Sequence, residues 1–204
     1  MAEPKKRTRI QERNRQAIMD AALDVFSRHG FRGATLDQLA EAAGLSKPNL
    51  LYYFPSKEAI YHDLLSGLLD TWLEPLREID PSGEPVDEIL EYICAKLEMS
   101  RVYPRESRLF ASDIIHGAEA MKDEIGAPLR ALVDRFAEIA KIWMAEGRLR
   151  SSDPYHLLFS IWATTQHYAD FDVQVRAVLG NSDPDPVASA RSFLTDLYRR
   201  GLTP

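Results

Sequence analysis

The sequence predicts an all-α chain of two domains, a small unit over residues 1–57 built on a helix-turn-helix and a larger helical body over residues 58–204. Three observations predict it. Apolar residues recur at the i, i+3, i+4, i+7 spacing of a helix face, and no segment alternates with period two, so no sheet is expected. Proline or glycine marks most junctions between the periodic segments. Charge divides with the domains. Residues 1–60 hold ten Lys or Arg against seven Asp or Glu, a net +3, and residues 61–204 hold fifteen against twenty-four, a net −9. A basic end on an acidic body orients a protein on a polyanion.

Residues 1–9, MAEPKKRTR, lack periodicity and read as a polar arm. Lys5, Lys6, Arg7 and Arg9 suit a phosphate backbone, a minor groove or a plain solubilising tail. A helix over residues 11–29 puts Ile18, Ala22, Val25 and Phe26 on one face, and Gly30 suits its C′ position. Thr35 caps a second helix, Gln38 completes the capping box, and Leu36, Leu39, Ala40 and Ala43 form its apolar side. Gly44 supplies the turn. Ser46 caps a third helix, whose first turn tolerates Pro48 and whose apolar side is expected to be Leu50, Leu51 and Phe54. Pro55 ends it. Ser56 caps a fourth helix that runs to about residue 76 and spans roughly 30 Å at 1.5 Å per residue.

Two short helices around a glycine turn match a DNA-binding helix-turn-helix, whose second helix enters the major groove. Its outward residues are expected to be Lys47, Asn49, Tyr52 and Tyr53. Lysine suits phosphate or guanine, asparagine an adenine edge, and tyrosine hydroxyls phosphates. The hydroxyls of Thr35 and Ser46 and the ammonium of Lys57, each at a helix start, join this candidate DNA-binding set. An ordinary helical hairpin with a solvated polar face is the other reading of the same residues.

Past a loop over residues 79–85, periodicity predicts helices at about 85–101, 104–116, 125–147, 154–179 and 186–201. The single cysteine, Cys94, excludes an internal disulfide and sits in the amphipathic run ILEYICAKLEM, where a small core residue is expected. No run approaches the ~20 apolar residues that cross a membrane, and the basic start lacks an apolar signal core, so a cytoplasmic protein is expected. His29, His62, His116, His156 and His167 show no ligand spacing such as HExxH. GxSxG, GxGxxG and phosphate-binding glycine loops are absent, so neither an enzyme nor a cofactor is expected.

Residues 161–171, IWATTQHYADF, concentrate hydrogen-bonding side chains within an otherwise apolar helix. Such groups either satisfy one another between helices or line a pocket for a small polar ligand. In the pocket reading, Gln166, His167, Tyr168 and Asp170 supply polar contacts, and Trp72, Trp162 and Phe171 supply walls. Trp143 is either a further wall or core. The last helix places Ala190, Phe193, Leu194, Leu197 and Tyr198 on one face.

The run GLSKPNLLYYFPSKEAIYHDLL, preceded by FSRHGFRGATLDQLAEAAG, resembles the DNA-binding domain of the TetR family over roughly residues 13–65. Many relatives carry Tyr where this chain has Leu51, so that family contact does not carry over. The resemblance implies a homodimer, paired through the last two long helices, that binds a palindromic operator and responds to a small ligand. The segments TWLEPL, KLEMSRVYPRESRLF and IWATTQHYADF resemble the pyrimidine-utilisation repressors within that family. That implies uracil or a related pyrimidine as effector. A family member with an apolar or aromatic effector, or a small helical enzyme, are the alternatives.

Overall fold

The computed structural model describes residues 9–204, so Lys5, Lys6 and Arg7 of the expected arm lie outside the described residues. Among the described residues there are eleven α-helices and no strand. The first four are α1 (Arg9–Gly33), α2 (Leu36–Ala42), α3 (Lys47–Tyr53) and α4 (Lys57–Arg77). The body adds α5 (Pro85–Val102), α6 (Pro104–Ile115), α7 (Lys122–Ile125), α8 (Ala127–Ala145), α9 (Pro154–Asp170), α10 (Asp172–Leu179) and α11 (Pro186–Leu202).

The expected caps form. Thr35 Oγ1 accepts from the Gln38 amide at 3.2 Å while Gln38 Oε1 accepts from the Thr35 amide at 2.9 Å. Ser46 and Ser56 cap α3 and α4 by accepting from the amides of Asn49 and Ala59. Gly30 (φ 65°) bends the end of α1, and Gly44 (φ 66°) makes the α2–α3 turn, both in the left-handed region that glycine occupies at least cost. Thr35→Ala is expected to lower unfolding stability by about 1 kcal/mol. Urea unfolding measures it, and an unchanged midpoint would deny the cap that role.

Two expected helices are divided. The segment 154–179 breaks at Phe171 (φ −114°, ψ 27°) into α9 and α10, with no proline or glycine to announce it. The segment 125–147 loses its start at Gly126, where the short α7 ends and α8 begins.

Two hydrophobic clusters hold the chain. The first joins Ile18, Phe26, Leu39 and Leu50 of α1–α3, with Phe54 just past α3, to Ile60, Leu65, Leu69 and Leu73 of α4. The second joins Leu76 at the far end of α4 to Ile93, Leu97, Phe136, Ile161 and Leu194 of the body. One helix thus contributes to both clusters, and Leu129 and Leu132 of α8 pack against both. Trp143 is core rather than wall, and its indole N–H donates to the Pro81 carbonyl at 3.0 Å, fastening the 79–85 loop.

The single apolar face expected on α11 is in fact two stripes. Ala190, Leu194 and Tyr198, at i, i+4, i+8, are buried in the body, whereas Phe193 and Leu197 are 62% and 48% exposed. The Tyr198 hydroxyl lies between Ser160 and Thr164 of α9, at 3.0 and 3.1 Å.

Candidate functional site

Two regions gather the residues singled out above. The first is the outer face of α3. Leu50 and Phe54, one turn apart, are buried against α1 and α4. That leaves Lys47, Asn49 and Tyr52 outward, with Tyr52 71% exposed. Leu51 departs from expectation. It is 37% exposed, because a step of about 100° carries it off the stripe that Leu50 and Phe54 share. Tyr53 is half-buried, and its hydroxyl accepts from Asn14 Nδ2 at 2.9 Å, which turns it back toward α1. Its ring meets the edge of Tyr52 with centroids 5.3 Å apart.

Lys47 pairs with Asp37 of α2 at 3.0 Å, an exposed contact that a competing anion can exchange at small cost. Thr35 and Ser46 remain at exposed helix starts, although each hydroxyl also serves as a cap. Lys57 is more committed. Its ammonium donates to the carbonyls of Phe31 (2.8 Å) and Ala34 (2.9 Å) and sits 4.5 Å over the Phe31 ring. Two of its three N–H donors therefore hold the α1–α2 connection, leaving one for a phosphate.

The second region is a cavity of about 400 Å³ where α4, α6 and α9 face one another, closed by α5, α7 and α8. Trp72 and Phe110 stack at 6.3 Å with planes 13° apart on one wall. Trp162 forms another, its indole N–H satisfied by the Tyr92 hydroxyl at 2.6 Å. Leu69, Leu73, Ile114, Ile115, Ile125 and Leu129 make most of the remaining surface apolar. The polar groups are few: Lys96, Ser107, Gln166 and Asp170.

Of the expected ligand residues, the cavity gathers Trp72, Trp162, Gln166 and Asp170 and omits His167, Tyr168 and Phe171. Helix phase is the reason. Trp162, Gln166 and Asp170 stand at i, i+4, i+8 and share one face. His167 and Phe171 form the neighbouring stripe, exposed and stacked on each other at 5.0 Å. Tyr168 is half-buried against the second cluster. The two threonines of the run are satisfied within α9: Thr165 donates to Ile161 O and Thr164 to Ser160 O.

Sequence reading missed Lys96, Ser107 and Phe110. Lys96 lies within ILEYICAKLEM, where a lysine reads as solvated, yet it is 3% exposed. Burial pushes its pKa down to about 7, and the charge of Asp170 partly restores it. Burial likewise raises Asp170, against the Ser107 hydroxyl donating to it at 2.6 Å and the nearby charges of Arg108, Lys96 and His167.

The two regions are physically joined. Helix α6 lines the cavity with Phe110, Ala111 and Ile114, and also carries Asp113, which accepts from the Tyr61 hydroxyl of α4 at 3.1 Å. The Tyr61 ring packs 4.8 Å from Phe31, the ring beneath Lys57.

Residues 18–64 match the family described as bacterial regulatory proteins, tetR family, and residues 65–204 match the YcdC-like protein C-terminal region. The chain is 50% identical over 182 residues to the HTH-type transcriptional regulator RutR of Escherichia coli K12, covering 89% of this chain and 86% of RutR. Among solved structures, the transcriptional regulator SCO4942 of Streptomyces coelicolor aligns with a TM-score of 0.75 at 26% identity, over 94% of this chain and 99% of that one. AibR, solved with isovaleryl coenzyme A and operator DNA, aligns at 0.69 over 90% of this chain and 97% of its own, and at 16% identity shares the fold alone. With both halves matched and half the aligned residues shared with a regulator of similar length, the chain belongs to the TetR family and is a DNA-binding transcriptional repressor, not an enzyme.

Proposed function

We propose that this repressor senses a pyrimidine base, uracil, in the cavity between α4, α6 and α9, and thereby controls genes of pyrimidine breakdown. The observation that carries this reading is the cavity's make-up. Flat walls from Trp72, Phe110 and Trp162 flank Gln166, whose side-chain amide makes no hydrogen bond among the described residues. A flat, neutral heterocycle with several donors and acceptors fits such walls and such an amide. The resemblance to pyrimidine-utilisation repressors and the 50% identity to RutR support it.

In this reading residues 1–57 bind DNA, and residues 58–204 bind effector and pair two copies. The DNA contacts are Thr35, Ser46, Lys47, Asn49, Tyr52, Tyr53 and Lys57, applied twice by a homodimer to a palindromic operator. An operator reader works in the cytoplasm. No helix among the described residues is long and apolar enough to cross a membrane. Filling the cavity moves α6, and the Asp113–Tyr61 bond passes that movement to α4 and the reading heads. The ligand acts only in so far as it prefers one arrangement.

Calorimetric titration of uracil into wild type and Gln166→Ala tests the reading. Uracil binds the wild type, and the variant binds it about 1–3 kcal/mol more weakly. An absence of uracil binding, or equal binding by both proteins, overturns it. The mainly apolar lining favours a second reading, an aromatic hydrocarbon as effector. Toluene in the same titration separates the two.

A further inference from the structure

We propose that Asn14 of α1 is a positioning residue for operator binding: by donating to the Tyr53 hydroxyl oxygen, it keeps that group's hydrogen free to bond a DNA phosphate. This rests on the placing of Tyr53 among the DNA contacts above and supplies the group that orients it.

A seven-residue helix does not fix its own direction. Within α3 only Leu50 is buried, and Phe54 is buried just past its end. Helices this short are held by what surrounds them. Here the opening turns of α1 grip the closing turn of α3 residue by residue. Gln11 Nε2 approaches the Tyr52 hydroxyl at 3.5 Å, and Asn14 Nδ2 donates to the Tyr53 hydroxyl at 2.9 Å. The Arg15 guanidinium lies 4.5 Å from the centre of the Phe54 ring. Arg15 also pairs with Asp63 of α4, which braces the grip from a third helix. Asn14 makes no other side-chain hydrogen bond among the described residues. Asparagine is a poor helix former, and alanine, glutamate or lysine would suit this turn of α1 better. What the amide adds is the bond to Tyr53.

The polarity of that bond carries the inference. A phosphodiester oxygen only accepts. A tyrosine hydroxyl has one hydrogen to give and can also accept. Asn14 uses the accepting side of Tyr53, and the hydrogen goes to no acceptor among the described residues. Tyr61 is the contrasting case within this chain. Its partner is the Asp113 carboxylate, which takes the hydrogen and leaves none for another acceptor. A donor on the Tyr53 oxygen also polarises its O–H bond and strengthens it toward an anion. The location suits a phosphate as well. The Tyr53 hydroxyl is turned toward the opening of α1, where Arg9 and Arg13, both exposed, outweigh Glu12. A phosphate drawn to that basic corner meets a hydroxyl already held, with its hydrogen available.

The test is a double-mutant cycle on the full chain. Wild type, Asn14→Ala, Tyr53→Phe and the double variant are titrated at several salt concentrations onto an operator duplex that wild type selects from random sequences. Asn14→Ala and Tyr53→Phe are each expected to weaken binding about 10-fold, and the double variant to bind within about twofold of Tyr53→Phe alone. The salt slope should stay at the wild-type value in all three, because a neutral hydroxyl displaces no counterion. A merely structural role for Asn14 would lower the urea midpoint and weaken the Tyr53→Phe background as much as wild type. Asn14→Asp, an isosteric change, turns the donor into an acceptor that takes the Tyr53 hydrogen. It should cost more in wild type than in the Tyr53→Phe background, a comparison that subtracts the effect of its charge. Wild-type affinity in Asn14→Ala, or equal losses from an Asn14 substitution in the two backgrounds, overturns the inference and leaves Tyr53 as a DNA contact. Wild-type affinity in Tyr53→Phe removes both. The Asn14→Asp comparison decides the matter even if Asn14→Ala fails to fold.

Discussion

Replacing Phe193 and Leu197 together by glutamate is expected to yield a monomer with roughly 10²- to 10⁴-fold weaker operator binding. Both side chains stand outward on α11 while Ala190, Leu194 and Tyr198 of the same helix are buried, so the substitutions leave the body's own core untouched. Phe159, 47% exposed, stands outward on α9, the other helix of the proposed contact. In a symmetric dimer the same patch meets itself, and each substitution places charge twice in an apolar contact with no partner. The loss on DNA comes from geometry: one reading head gives up the second half-site that its tethered copy would engage. Light scattering at micromolar concentration and a gel shift on an operator selected from random duplexes measure both effects. A wild type that runs as a monomer, or a double variant that still dimerises, contradicts the interface.

Lys57→Met should destabilise the protein by on the order of 3 kcal/mol, the sum expected for losing two hydrogen bonds from a charged donor. The lost contacts are those to the Phe31 and Ala34 carbonyls, which leaves both acceptors of the α1–α2 connection poorly served. The cation over the Phe31 ring adds a smaller amount. DNA affinity falls as a consequence, because the connection positions Thr35 and α2. Lys47→Ala supplies the contrast: stability unchanged within about 0.5 kcal/mol and the salt slope of DNA binding reduced by about one. Urea unfolding and salt titrations separate them. An unchanged unfolding midpoint for Lys57→Met removes the clamp and returns Lys57 to a plain phosphate contact.

The parts legible in the sequence are those decided within four residues. Thr35 with Gln38, Ser46, Ser56 and the turn at Gly44 announce helix boundaries because each satisfies backbone groups that no other element needs to supply. Phase errors arise where packing between distant elements decides. Leu51 borders the buried stripe, and only the placement of α2 and α4 decides which side of the border it takes. His167, Tyr168 and Phe171 belong to a run so dense in polar groups that periodicity cannot select its inner face. The structure does so by packing α9 on α5 and α6. Lys96 was hidden for a different reason. Nothing adjacent to it in sequence reveals that it faces Trp162 and Asp170, some seventy residues away, and lysine is ordinarily the mark of a solvated position. The 161–171 segment does lie on a helix that lines the cavity, and the resemblance could not supply that helix's rotation.

The side chains lining the cavity come from α4 through α9, beginning at Leu69, whereas those of the reading face end at Lys57. No residue belongs to both sets. With the effector and DNA contacts proposed above, a change at Gln166 or Ile114 alters which metabolite is heard without rewriting which promoter is addressed, and a change at Asn49 does the reverse. Such a chain can be recombined by drift: duplicated copies are free to exchange inputs while their targets stay fixed. In the proposed relay the constraint falls on the few groups that touch both ends, the hydrogen-bonded Tyr61 and Asp113 foremost, where a substitution would silence the connection for every metabolite and every promoter alike.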